Sequence, residues 1–150
     1  MNSIALAQPL DAPSPANDQT APLRILLAED NETMRRLLAF VLRADGHELA
    51  EARDGTELLE ALASSLLAGP AERFDAIVAE QSLPGIEGLT VLAGLRARGV
   101  ATPFILITAD VDVQTRVRRL GGFVLDQPFN TQAIRHAVAS SNGRALAAAP

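Results

Sequence analysis

Along most of this chain, short apolar runs alternate with stretches in which apolar residues recur every three or four positions. Leu23 to Ala28 is a run of strand length, and beyond it Met34, Leu37, Leu38, Val41 and Leu42 fall at helical spacing. Asp45-Gly46 closes that helix and His47 to Ala52 forms a second short run. After the turn at Asp54-Gly55, Leu58, Leu59, Leu62, Leu66 and Leu67 mark a second helix, stopped at Gly69-Pro70. The unit recurs three times more. Phe74 to Ala79 leads to a helix through Leu89, Leu92 and Leu95; Pro103 to Thr108 leads to one through Val113, Val117 and Leu120; Phe123 to Leu125 leads to one through Ile134, Ala137 and Val138.

Five such units predict an α/β fold: a parallel sheet with helices on both faces, because each crossover between parallel strands passes over one face. The pattern divides the chain into three parts. Residues 1–21, with Pro9, Pro13 and Pro15 among small polar residues, read as an N-terminal arm; residues 22–140 form the domain; the Ala-rich residues 141–150 read as a tail.

Composition narrows the function. Apolar residues make up 48% of the chain, yet no apolar run approaches the roughly 20 residues of a membrane span. Ala5-Leu6-Ala7 lacks the basic and apolar stretches that would precede a secretory cleavage site. The expectation is a soluble, cytoplasmic protein that does not engage membranes. A net charge of -5 is the wrong sign for binding nucleic acid through its phosphates. The chain holds no cysteine, which removes disulfides and thiolate chemistry, and all 13 residues counted as Lys plus Arg are arginine. Chemistry that needs a side-chain amine is therefore excluded.

In a doubly wound sheet the working cleft lies beyond the carboxyl ends of the strands. The first strand runs into Glu29-Asp30, the third into Glu80 and the fourth into Thr108, so three carboxylates and a hydroxyl are expected on one rim. Hard oxygen donors of this kind suit magnesium.

Four segments in order now carry a resemblance: Leu26-Leu27-Ala28-Glu29-Asp30-Asn31, Ile77-Val78-Ala79-Glu80 with Pro84-Gly85 and Gly88, Ile105-Leu106-Ile107-Thr108-Ala109, and Gln127-Pro128-Phe129. Over about residues 23–140 the chain resembles the receiver domain of bacterial two-component response regulators. The resemblance implies a flavodoxin-like sheet of order 2-1-3-4-5 and a cis peptide before Pro128. It also implies magnesium on Glu29, Asp30 and Glu80, a phosphoacceptor at position 80 and a switch hydroxyl at Thr108. Its partners would be a histidine kinase or a downstream output protein. Homodimers would form through the fourth helix, fifth strand and fifth helix.

Two central positions depart from the family. The acceptor is Glu80 where the family has aspartate. The lysine position is Gln127, or Asp126 in a register shifted by one. Glutamate moves the carboxylate outward by about 1.5 Å, in a reaction where a misplacement of about 1 Å costs roughly 100-fold. Glutamine supplies a hydrogen bond and no charge. The expectation is an atypical, stand-alone receiver protein that works through protein contacts without aspartyl phosphorylation and is not an enzyme. Three states remain open: Glu80 bonded to Thr108 in imitation of a phosphorylated site, an inert scaffold, or residual magnesium-dependent phosphoacceptance. A nucleotide-binding enzyme on the same architecture is disfavoured, since no Gly-rich loop follows the first strand and the P-loop lysine is missing.

Further departures bear on the partner face. Thr108 and Gln127 are 19 positions apart, which is about one helical turn less than the family implies, so the fourth helix is expected to be short. The family's aromatic switch falls on Val124 if Gln127 is the lysine position, and on Phe123 in the shifted register. Arg116, Arg118 and Arg119 read as a solvated face that acidic groups of a partner would suit, and His47 and His136 as isolated side chains without chemistry.

Overall fold

A computed structural model describes residues 21–148 of the chain. The arm assigned to residues 1–21 lies, apart from Ala21, outside the described residues. Five strands and five helices alternate: β1 (Arg24–Ala28), α1 (Glu32–Ala44), β2 (Glu48–Ala52), α2 (Gly55–Ala68), β3 (Ala76–Glu80), α3 (Gly88–Ala97), β4 (Phe104–Thr108), α4 (Val111–Arg119), β5 (Phe123–Asp126) and α5 (Thr131–Ala148). A single 3-10 turn, Pro70–Glu72, separates α2 from β3. The last helix continues beyond residue 140 and takes in most of the segment assigned to a tail.

All strand pairs are parallel and their order is β2-β1-β3-β4-β5. Alternate residues of the inner strands serve two cores. Leu26, Ile77, Phe104 and Leu106 pack against Leu58 and Leu62 of α2, Leu89 and Leu92 of α3 and Val117 of α4. Ile25, Leu27, Val78, Ile105 and Ile107 pack against Leu38 and Leu42 of α1 and Ile134 and Val138 of α5. With both faces covered, β1, β3 and β4 must be apolar at nearly every position, which is why they are continuous runs in the sequence. The edge strands β2 and β5, with one neighbour each, are more polar and more exposed.

The helices begin where the sequence supplies caps. Asn31 Oδ1 accepts from Met34 N at 2.8 Å at the start of α1, and Asp54 Oδ1 accepts from Glu57 N at 2.8 Å at the start of α2. The inner stripes are narrower than the apolar patterns. Leu37 is 46% exposed and Leu67 88%, whereas Ala39 and Ser65 are buried. Among the described residues no helix is long and apolar enough to cross a membrane.

Candidate functional site at the strand ends

The last residues of β1, β3, β4 and β5 bring the expected side chains to one end of the sheet. Glu29 follows β1 and is buried, with only 4% of its surface exposed, while its neighbour Asp30 is exposed. The loop turns the Glu29 carboxylate back on itself, so that Oε1 accepts from Asn31 N at 3.0 Å. Burial, with Glu80 and Asp30 close by, pushes the Glu29 carboxyl up to about 7, against the opposing bond from Asn31. Arg35 holds this turn from α1. Its Nη1 donates to the Glu29 carbonyl at 2.9 Å, and its Nε lies 3.3 Å from Glu51 Oε1 on β2.

Glu80 ends β3, half-buried. Gln127 Nε2 donates to Glu80 Oε2 at 3.0 Å, across 47 positions of sequence, and the peptide before Pro128 is cis. Burial raises the Glu80 carboxyl above its ordinary range, with Asp30 adding to the rise and bonds from the Ser82 backbone and the Gln127 amide opposing it. Its backbone is fixed from α3. A Cβ placed on Gly88 would lie 2.8 Å from the Glu80 carbonyl oxygen and closer still to Leu106, so only glycine lets the helix start there. Gln81 completes the fixture: its Oε1 accepts from Leu89 N at 2.9 Å and its backbone N–H donates to the Ile107 carbonyl.

Contact with Glu80 places Gln127, rather than Asp126, opposite the end of β3. Asp126 instead pairs with Thr108 across β4 and β5, and its carboxylate faces α4. Val124 packs on the α4 side of the sheet with Leu106 and Val117, while Phe123 packs on the α1 and α5 side. Thr108 is buried and its Oγ1 accepts from Asp110 N at 3.1 Å. The bond to Glu80 that would imitate a phosphorylated site is not formed; Glu80 is taken by Gln127 and Thr108 by the α4 cap.

Glu29, Asp30 and Glu80 offer hard oxygen donors of the kind magnesium takes. Their arrangement is not that of a ligand set, since among the described residues no three Asp, Glu, His or Cys side chains are gathered closely enough to hold an ion. Chemically, the site as built accepts hydrogen bonds. The only side-chain donor bonded to Glu80 among the described residues is a neutral amide.

Arg35, Gln81 and Gln114 of α4 are missed by sequence reasoning. Arg35 and Gln114 sit on amphipathic helices and reach strand ends that local pattern does not reveal, while Gln81 reaches the first turn of α3. The other candidates stand apart from the site. Arg116, Arg118 and Arg119 are exposed on α4. His47 Nδ1 accepts from Leu23 N at 3.1 Å at the far end of β1, where burial lowers its proton affinity, and His136 is exposed on α5.

Comparison with known proteins agrees with this geometry. The family model described as response regulator receiver domain matches residues 25–139. Transcriptional regulatory protein TcrA of Mycobacterium tuberculosis is 35% identical over 121 residues, which cover 79% of this chain and 45% of TcrA. Response regulator MprA of Mycolicibacterium vanbaalenii is 34% identical over 99 residues, covering 66% of this chain and 40% of MprA. This chain therefore spans less than half the length of these relatives. Among solved structures, the signal receiver domain of an HD domain-containing protein from Pseudomonas fluorescens superposes with a TM-score of 0.68 at 26% identity, covering 85% of this chain and 92% of that one. A CheY-like receiver domain protein from Methanospirillum hungatei has a TM-score of 0.73 at 17% identity, covering 86% and 100%, and speaks for the fold alone. Sheet order, rim chemistry and family match converge: the chain belongs to the response regulator receiver domain family, a signalling module of two-component systems.

Proposed function

We propose that this receiver signals by protein contact, in a conformation set by its own side chains, without taking a phosphoryl group from a donor. The carrying observation is the bond between Gln127 Nε2 and Glu80 Oε2. It puts a neutral amide where the family places a lysine, on a carboxylate one methylene longer than the family's acceptor. A phosphoryl transfer state spreads negative charge over its oxygens and is stabilised by cations placed in advance. Here the neighbours of Glu80 are two more carboxylates, and burial already raises its affinity for a proton, which opposes adding further negative charge.

The partner in this reading is a histidine kinase or a separate output protein. Relatives named as transcriptional regulators extend well beyond the matched segment, so contact with DNA is not assigned to this domain. Intact mass after incubation with acetyl phosphate and magnesium tests the proposal, with Glu80→Asp and Glu80→Asp/Gln127→Lys alongside. The native chain is expected to stay unmodified while the double variant gains a phosphoryl mass. A magnesium-dependent gain by the native chain overturns the reading and makes this a working phosphoacceptor.

A further inference from the structure

We propose that Gln114 is a positioning residue that fixes α4 on the ends of β4 and β5 and links its placement to Glu80. The sequence of α4, Val-Asp-Val-Gln-Thr-Arg-Val-Arg-Arg, gives it little apolar surface, and it buries only Gln114 and Val117. Gln114 is 7% exposed. Both protons of its amide are used: Nε2 donates to the Thr108 carbonyl at 3.1 Å and to Asp126 Oδ1 at 2.9 Å. Those acceptors are register partners on neighbouring strands, so one side chain spans both strand tips. Asp126 is exposed whereas Gln114 is buried, so losing this bond leaves a desolvated amide short of an acceptor.

The bonds around Gln114 form a connected set. Thr108 is engaged twice by the start of α4, through its carbonyl to Gln114 and through Oγ1 from Asp110 N. Asp110 Oδ1 accepts in turn from the N–H groups of Asp112 and Val113. Asp126 adjoins Gln127, whose amide holds Glu80. The path from Glu80 through Gln127 and Asp126 to Gln114 reaches α4 without an aromatic residue, and position 124 is valine. Receiver α4 is thereby secured by directional bonds to two named atoms. The proposal rests on hydrogen bonds, whether or not a phosphoryl group reaches Glu80, and its test uses no phosphodonor.

Amide hydrogen exchange and side-chain amide resonances of the full chain, isotopically labelled, provide that test. In Gln114→Leu and Asp126→Ala, exchange across residues 111–120 should rise about tenfold relative to α1, α2 and α3, the scale of one lost hydrogen bond from a buried amide. Asp126→Asn retains an oxygen acceptor and should stay within about threefold of the native chain. Glu80→Ala should shift the Gln114 side-chain amide resonances, a response that simple filling of space at position 114 would not give. The proposal is overturned by unchanged exchange in 111–120, by a rise shared equally with the rest of the domain, by Asp126→Asn behaving as Asp126→Ala, or by a Gln114 amide indifferent to Glu80→Ala. Should Gln114→Leu fail to fold, the two Asp126 variants and Glu80→Ala decide alone.

Discussion

Helices α1 and α4 both leave the rim of the sheet from a side-chain cap, and from there they are fastened in different proportions. Asn31 caps α1 and Asp110 caps α4, each satisfying backbone N–H groups of the first turn. In thirteen residues α1 then buries Leu38, Ala39, Val41 and Leu42 beside a single polar anchor, Arg35. In nine residues α4 buries an amide and one valine, and its far end is held by Arg96, which donates to the carbonyls of Leu120, Val100 and Thr102. Apolar burial scales with area and is indifferent to direction, whereas an amide or guanidinium needs a particular acceptor in a particular place. The lesson is that equal starting signals do not imply equal anchoring: α1 belongs to the core, and α4 is held by named atoms.

The strongest challenge to this contrast is Leu42→Ala, at a fully buried position of α1. Denaturant titration should show a loss of about 2–5 kcal/mol shared by the whole domain; a loss below about 1 kcal/mol would mean that α1 is not a core element. Arg96→Met comes next. It strips three part-buried carbonyls of their donor and should cost about 1–3 kcal/mol, with exchange rising first at residues 118–122. An equal rise at α1 would erase the distinction between the two helices.

Glu29→Gln gives the smallest effect and sharpens the contrast at the foot of α1. The Glu29 carboxyl titrates at about 7 in the fold against an ordinary 4.5, so the folded state binds its proton more tightly than the unfolded chain does. Its contribution to stability is complete below about pH 4.5 and is lost as pH rises through about 7. In metal-free buffer at pH 8, Glu29→Gln should therefore stabilise the domain by about 1–2 kcal/mol and flatten the dependence between those values. Thermal melts at pH 5 and pH 8 read both effects, and a variant less stable than the native chain at pH 8 would reverse the sign.

The inner strands are legible in the sequence because two cores demand apolar side chains on both faces; Ile25 to Ala28 and Phe104 to Ile107 are continuous apolar runs of strand length. Strand order came from the family resemblance, since periodicity carries no information about which strands are neighbours. The third run begins at Ala76, two residues later than the pattern suggests, because Phe74 packs at the sheet end with the Arg24 guanidinium 5.2 Å from its ring centroid. Leu37 and Leu67 fit a helical stripe by spacing, yet each lies beyond the arc its helix turns inward. At the site, Glu29, Glu80 and Thr108 are readable as strand-end residues. Gln114 and Arg96 are not, because the atoms they bind are brought close only by the sheet: Asp126 for one, and the Leu120 carbonyl, 24 positions away, for the other.

The three carboxylates at the rim also act at a distance. With no lysine anywhere in the chain and Arg35 paired with Glu51, acidic groups outnumber basic ones at the mouth of the cleft, and the field there turns negative as Glu29 and Glu80 lose their protons. In that state an anionic molecule diffusing toward the rim is slowed before any bond is made. Salt weakens this field over about 10 Å at 0.1 M. The rate at which anions meet Glu80 is thus lowest in dilute buffer and climbs as ions are added, a filter on encounter that acts ahead of the chemistry at the site.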